Sequence, residues 1–421
     1  DQDLDSLPLF EKAIQPNQPL MRRIHGIWGI GQLGQKNPSA LNSLARLIGD
    51  KEMEIRANLA RTLGNHGKHL APFRKALIAM LEDSSPRVAS LAAIALSNHG
   101  HQDAVEPAIK MLEKNDDNDV VVRHAGIMVL TKCAQFAPEW KYYDHRSTAV
   151  RRAIVIALRR HKSHLLETYF TDRDQSVRQE AIRAAYEMDV RKSYRALSNQ
   201  AHSIALKVSP EVKWHPLTAR SPFFSAWVLG PAKDAEEIAK IAANPKIDFR
   251  VRKDALIALL EWNNPPVPDP VTGFARTLPK NRIKLDTSII KDLKGLIDGV
   301  DKNSIDLIPR ALILSEQDQI PLGELRLTRY LKNENFPEEA RVKSMKLLAS
   351  LKESNPIWPL TLQKLFADKS EKVRSMAREL LFKNDPNRAT AQLGNLLTSE
   401  DATLKEKQLT LQTLTKLKTP K

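Results

Sequence analysis

Cysteine is almost missing from these 421 residues: Cys133 stands alone, which excludes an internal disulfide framework and any cysteine cluster for zinc or iron–sulfur binding. Long apolar runs are missing too. None approaches the roughly 20 residues that cross a bilayer, so no membrane span is expected. Aromatic residues make up 5% of the chain and glycines number 15. In their place Leu, Ala, Lys, Arg and Glu dominate, side chains that keep their rotamer freedom in a helix, so the composition leans all-α. Acidic residues are outnumbered, 50 against 65 Lys and Arg, for a net charge of +15. That excess attracts nucleic acid, anionic lipid or acidic protein at long range without choosing among them. With 42% hydrophobic and 27% charged residues, a packed core is expected rather than disorder. Asp1-Gln2-Asp3 does not open a signal peptide, so the chain is expected to be cytoplasmic, already processed, or cut from something longer.

What is present is a repeated phrase: a turn with Asp, a β-branched residue, Arg, two variable residues and Ala. It reads Asp50-Lys-Glu-Met-Glu-Ile55-Arg56-Ala57, Asp117-Asn-Asp-Val-Val-Val122-Arg123-His-Ala125 and Asp172-Arg-Asp-Gln-Ser-Val177-Arg178-Gln-Glu-Ala181. Other copies lie at Asp83–Val88, Val150–Ala153, Val251–Ala255, Val342-Lys343 and Asp368–Arg374. Measured at positions 55, 88, 122, 150, 177, 251, 342 and 373, the steps are 33, 34, 28, 27, 74, 91 and 31; the two long ones have room for diverged copies. Each unit reads as helix, short turn, helix. Apolar residues fall at helical spacing over residues 70–81 and again at Ile55, Leu59 and Leu63. The recurrent Asp suits the N-terminus of the second helix, where a carboxylate meets free N–H groups and the positive dipole end. Gly64, Gly67 and Gly100 suit helix ends. No such pair buries its apolar stripe alone, so neighbours must stack. The phrase is that of HEAT repeats, and the expected fold is an all-α HEAT-type solenoid.

Five prolines in the fifteen residues from Pro265 to Pro279 cannot be helix. Val267, Val271, Phe274 and Leu278 make this segment too apolar for a free linker, and it is expected to lie ordered against the helices. The anticipated division is a HEAT array over 1–263, a proline-rich connection over 264–285, and HEAT-like repeats over 286–421, resuming near Asp286 and fraying over Leu414–Lys421.

Several motifs invite chemistry. Gly29-Ile-Gly31-Gln-Leu-Gly34 matches a dinucleotide fingerprint, but it sits in a helical pattern, where small residues let helices approach. Histidines pair at His66/His69, His99/His101 and His161/His164 without a Cys or carboxylate to complete a metal set, and read as polar turn residues. The stretch from His145 to His164 holds six Arg and Lys and no acid. Arg152 and Arg159 are seven apart on one helical face, with Val150, Ile154, Ala157 and Leu158 facing the core. Arg146, Arg152, Arg159, Arg160 and Lys162 are therefore the candidate surface for an acidic partner. The competing reading is that Arg in the phrase bonds to a neighbouring repeat. Trp28, Trp140, Tyr142, Tyr143, Trp214, Phe223, Phe224, Trp227 and Trp262 are scattered through different helices, as core residues would be. Cys133 lies in an apolar helix and reads as buried. No G-x-S-x-G, P-loop, H-E-x-x-H or C-x-x-C-H occurs.

Three segments resemble one group more narrowly: Met21–Gly34, Asn115–Leu130, and Trp227-Val-Leu-Gly running to Trp262-Asn-Asn-Pro-Pro with Val271-Thr-Gly273. The group is the HEAT-repeat region of large bacterial membrane-bound-dehydrogenase-like proteins carrying a PVC-type haem-binding domain. The resemblance implies a sugar-dehydrogenase-like β-propeller before the array and a c-type cytochrome after it, in a periplasmic or otherwise extracytoplasmic setting. Haem c and a quinone cofactor would then sit in adjoining domains and none in this chain, whose partners would be cytochrome or dehydrogenase modules.

The resulting expectation is a non-catalytic protein-interaction scaffold within such an electron-transfer assembly. A DNA-binding enzyme of the alkylpurine glycosylase type is the alternative that the charge permits. It requires a basic concave face with Trp and a carboxylate at its centre, which is not found here, so nucleic acid is not the expected partner. A phycobilin-lyase-type protein shares only the repeat.

Overall fold

The computed structural model describes residues 4–69, 71–207, 216–285, 307–317, 324–351, 358–400 and 402–415. Among them the regular structure is helical, with a single isolated bridge between Pro268 and Ala275, and no helix is long and apolar enough to cross a membrane. The chain is all-α, of HEAT-type solenoid architecture, and divides into two compact units, Asp1–Leu197 and Ser198–Lys421. The proline-rich segment lies within the second.

In the first unit the helices are α1 (Leu7–Ala13), α2 (Leu20–Lys36), α3 (Met53–Gly64), α4 (Arg74–Ala79), α5 (Pro86–His99), α6 (Val105–Asn115), α7 (Val120–Cys133), α8 (Thr148–Arg160) and α9 (Gln175–Glu187). The helices carrying the phrase stack in sequence, α3 on α5, α5 on α7, α7 on α8 and α8 on α9. Their inward residues, among them Ile55, Leu59, Val88, Leu96, Val150, Ile154 and Val177, are buried. Gly64 lets α3 come close to α5: a Cβ there would lie 3.2 Å from the Ala95 Cα. Gly100 closes α5 in the left-handed conformation, at φ 73°, which an L side chain adopts only with strain.

Several first helices of the repeats are less regular than the pattern suggests, although α6 is a regular α-helix. Pro38–Leu47 and His164–Tyr169 are 3-10 helices, and α4 is a short α-helix flanked by 3-10 turns; Leu70 is outside the described residues. Between α7 and α8 there is no first helix at all. Pro138 interrupts the run, and the space is filled by rings: Phe136 lies 5.1 Å from Trp140, Trp140 5.5 Å from Tyr143, and Tyr143 6.1 Å from Tyr169, each edge to face.

The recurrent Asp has a different position from the one expected. Asp119, Asp174 and Asp248 do cap helices. Asp50, Asp83, Asp172 and Asp368 instead stand before the cap and accept from the N–H two residues on, at 3.0, 2.8, 2.7 and 2.9 Å. Both oxygens of each carboxylate also hold an arginine from the preceding helix pair. Arg23 binds Asp50, and Arg56 binds Asp83 through Nε and Nη2 at 2.7 and 2.9 Å. Arg151 binds Asp172 at 2.7 and 3.1 Å, and Arg341 binds Asp368. The backbone of the same turn then receives the next arginine: Arg56 donates to the Asp50 carbonyl at 2.7 Å, Arg178 to that of Asp172, and Arg374 to that of Asp368 at 2.8 Å. The turns at Asp50, Asp172 and Asp368 are thus gripped from both sides. Arg151 and Asp172 are only 1% and 6% exposed.

The second unit contains α11 (Ala201–Lys207), α12 (Pro216–Leu229), α13 (Ala232–Ala243) and α14 (Phe249–Leu260), after the short α10 (Tyr194–Ser198) at the division. The proline-rich segment follows α14 and is ordered, as expected, but polar groups anchor it. Val267 and Phe274 are 82% and 69% exposed. Asp269 accepts from the N–H groups of Val271 and Thr272 and pairs with buried Arg276 at 3.2 Å. Arg282 lies over the rings of Trp227 and Trp262, at 4.9 and 5.3 Å, and donates to both of their carbonyls. Residues 286–306, where the pattern resumes, and 416–421, where fraying was expected, are outside the described residues. The rest comprises α15 (Ile308–Gln317), α16 (Glu324–Lys332), α17 (Glu338–Leu351), α18 (Trp358–Lys364), α19 (Glu371–Asn384), α20 (Pro386–Thr398) and α21 (Leu404–Leu414). Here α17 packs on α15, α16 and α19. Glu406 of α21 accepts from Arg374 and Arg378 at 2.8 and 2.7 Å.

Two outcomes are expected. Asp172→Ala leaves Arg151 buried without its carboxylate and should cost about 3–5 kcal/mol, read as a lowered urea midpoint. Asp144→Ala, which removes the exposed pair with Arg173, should cost less than about 1 kcal/mol. The hydrogen bond from Arg374 is the largest influence, and together with that from Arg378 it overcomes burial and draws the Glu406 carboxyl from 4.5 to about 2. Its contribution to stability is therefore complete above pH 4.5 and is lost as pH falls toward 2. Glu406→Gln should flatten the acid limb of a stability–pH curve over that window.

Candidate interaction surface

The basic stretch lies on α8 and its flanks, and the acids that it lacks in sequence come from other elements. Arg152 binds Asp117 and the Ser176 hydroxyl, both at 2.6 Å. Arg159 binds Glu180 at 3.2 Å and Glu187 at 2.7 Å. Arg146, although well exposed, reaches Glu113 at 2.7 Å, and this hydrogen bond holds the Glu113 carboxyl below its usual range. Arg160 touches the Met128 sulfur at 3.5 Å, a weak acceptor. Lys162 is exposed in a left-handed turn, φ 48°. The structure therefore brings Arg152 and Arg159 together along the edge facing α9, with carboxylates already in place, and leaves Arg160 and Lys162 as the most available cations of the five. Val150, Ile154, Ala157 and Leu158 face the core as the spacing predicts.

Gly29, Gly31 and Gly34 lie inside α2, in the packing role read from the sequence. Cβ atoms there would come within 2.3 Å of the Phe10 ring, 2.5 Å of Thr62 Cγ2 and 2.5 Å of Leu41. The histidines occupy separate environments. His66 is buried against α2, and burial, the dominant effect, lowers its pKa. His99 and His101 have ring centroids 5.7 Å apart, and His161 Nε2 is 2.6 Å from the Thr131 carbonyl. Among the described residues no three His, Cys, Asp or Glu side chains gather as a metal site. Cys133 is buried, and burial pushes its thiol up to about 11, so it is not a nucleophile at neutral pH.

Tyr143, Phe223, Phe224, Trp227 and Trp262 are core residues; Trp214 is outside the described residues. Trp28 departs from the expectation, with 41% of its surface exposed. It borders a cleft between α2 and α3, which the sequence did not disclose because its residues look like ordinary surface positions of two helices. The i, i+4, i+7 spacing of Trp28, Gln32 and Gln35 was the available signal. In the second unit a groove of about 470 Å³ runs across α15, α17, α19 and α21. It has Ile313, Val342, Met376 and Leu409 among its apolar lining, and Lys343 and Glu379 among its charged residues. Both features are open clefts that mix apolar and polar side chains.

No protein-family model matches the sequence, and no curated protein matches it. Solved structures do. The CpcE–CpcF complex of phycocyanin lyase from Nostoc is 20% identical over 61% of this chain and 87% of that one, with a TM-score of 0.28. Importin beta is 9% identical over 98% of this chain, with a TM-score of 0.46, and this chain spans 65% of its length. Human deoxyhypusine hydroxylase is 15% identical over 91% of this chain and 96% of that one, with a TM-score of 0.24. At such identities the likeness concerns the fold alone, that of stacked helices.

Proposed function

We propose that the chain is a non-catalytic scaffold for protein–protein interaction, serving as the HEAT segment or subunit of a periplasmic assembly of dehydrogenase-like and c-type cytochrome modules. The observation that carries the scaffold reading is the fate of the charge. Arg23, Arg56, Arg151 and Arg341 are bound by carboxylates of the next helix pair, which ties those pairs into a support whose helix faces carry open clefts. The finer reading is supported by the resemblance of Met21–Gly34, Asn115–Leu130 and Trp227–Gly273 to the HEAT region of such proteins. The third segment has a physical rationale within that pattern. Asp269 organises the Val271-Thr-Gly turn, and the two tryptophans clasp Arg282. Haem c and a quinone cofactor belong, on this reading, to adjoining modules, since one cysteine makes no C-x-x-C-H attachment site. Arg160 and Lys162, with Arg146, Arg152 and Arg159 beside them, form the basic edge offered to an acidic module.

Native material isolated through an antibody to this chain should carry the absorption bands of reduced haem c in stoichiometric amount. Replacing Arg160 and Lys162 by Glu should slow reassociation with the haem-bearing module several-fold at low salt, with little change at high salt. A species of 47.4 kDa without haem that binds duplex DNA in a salt-sensitive manner would contradict the proposal.

A further inference from the structure

The cleft between α2 and α3 encloses about 340 Å³. Its floor is the point where Gly31 meets Thr62 so closely that a Cβ would stand 2.5 Å from Thr62 Cγ2. Its walls are rows of side chains one helical turn apart, Trp28, Gln32 and Gln35 on α2 and Arg61 and Asn65 on α3.

Two properties set this cleft apart. The exposed indole is held in place, since Trp28 Nε1 donates to Asn58 Oδ1 at 3.0 Å while Asn58 Nδ2 donates to the Glu54 carbonyl at 2.8 Å. The His25 ring meets it edge-on at 5.1 Å, and Met21, one turn further along α2, is also exposed. The apolar end of the cleft is thus preorganised, which lowers the ordering cost of binding. The polar side chains, by contrast, are uncommitted. Arg23, Arg56, Arg151, Arg152 and Arg159 all hold carboxylates, whereas Arg61, Gln32, Gln35 and Asn65 have no side-chain hydrogen bond or ion pair to any described residue.

This combination selects a class of partner. Carboxamides both donate and accept, as peptide groups do, whereas phosphate oxygens at neutral pH chiefly accept. One cation among three amides gives little of the electrostatic drive by which nucleic acid binds. From Trp28 to Gln35 the α2 wall is about 10 Å long at 1.5 Å per residue, the reach of about three residues of extended chain. We propose that the α2–α3 cleft binds an extended peptide segment of a partner protein, seating an apolar side chain on the Trp28 indole, a carboxylate on Arg61, and peptide groups on Gln32, Gln35 and Asn65. The proposal rests on the scaffold reading and names one of its docking sites.

The full chain, panned against a displayed library of short random peptides, should enrich sequences with an Asp or Glu a few residues from an apolar residue. By fluorescence polarisation, Arg61→Glu should weaken the best peptide about tenfold or more, and Trp28→Ala about fivefold or more. Replacing the peptide's acid by its amide should weaken binding to the unaltered chain similarly, and Arg61→Glu should then add little further loss. Arg61→Glu should leave the melting temperature unchanged, because the exposed side chain has no partner to lose. Failure to enrich peptides, or binding indifferent to both variants, would overturn the proposal. So would binding of a labelled single-stranded DNA oligonucleotide that is lost in Arg61→Glu while peptides do not bind. Loss of the haem-bearing assembly as a finding, with peptide binding intact, would fall on the larger reading and leave the cleft assignment standing.

Discussion

A guanidinium and a carboxylate as deeply enclosed as those of Arg151 and Asp172 tolerate each other's absence poorly: either alone in that site would carry a desolvation penalty of several kcal/mol. The same pairing joins Arg23 to Asp50, Arg56 to Asp83 and Arg341 to Asp368. Apolar stripes of Ala, Val, Ile and Leu supply the burial that drives stacking, but they are forgiving about alignment, because neighbouring registers bury similar area. The ion pairs are not forgiving. Each of these turns accepts an arginine from the preceding pair on its carboxylate, and those of Asp50, Asp172 and Asp368 accept another from their own helix on the carbonyl, so a shifted register leaves buried charge unpaired. The pair acts as a register pin more than as a source of net stability, the best-attested use of buried charge.

This arrangement changes the meaning of the +15 charge. A basic chain with arginine clusters suggests a surface for phosphates, yet Arg23, Arg56, Arg151 and Arg341 point along the stack and find Asp50, Asp83, Asp172 and Asp368. Even the stretch around α8 draws on Glu113, Asp117, Glu180 and Glu187. The available recognition chemistry is therefore local and mixed: the edge at Arg160 and Lys162, the groove across α15 to α21, and the cleft where Trp28 and Arg61 face open space. Modest, distributed sites on a support with pinned register suit the assembly of other proteins better than turnover of a substrate.

Much of the fold was legible because the HEAT phrase recurs at a helical scale and the composition admits little else. The position of each second helix, the burial of Val150 and Ile154, and the packing role of Gly29, Gly31 and Gly34 could all be read from residue type and spacing. Several of the first helices could not. Steps of 28 and 27 between Val122, Val150 and Val177 leave no room for two full helices, and the shortfall appears as a cluster of rings around Trp140 and a 3-10 helix at His164–Tyr169. The turn aspartates were assigned to capping because capping is a local rule, whereas their binding to arginine depends on a residue more than twenty positions earlier. The proline-rich segment was correctly expected to be ordered, but through Val267 and Phe274. The anchors are Asp269 and Arg282, whose partners become apparent only when Trp227 and Trp262 are brought together. The α2–α3 cleft was hidden for the same reason, since its two walls are unremarkable until they face each other.

The central claim is that the arginine of one helix pair and the aspartate of the next act as a single coupled unit. A double-mutant cycle with Arg56→Met and Asp83→Asn, measured by urea unfolding, tests it most directly. The account predicts a coupling energy of about 1.5 kcal/mol or more, each single change being costly and the double change far less costly than their sum. Coupling within about 0.3 kcal/mol of zero would contradict it and leave apolar stacking as the sole determinant of register.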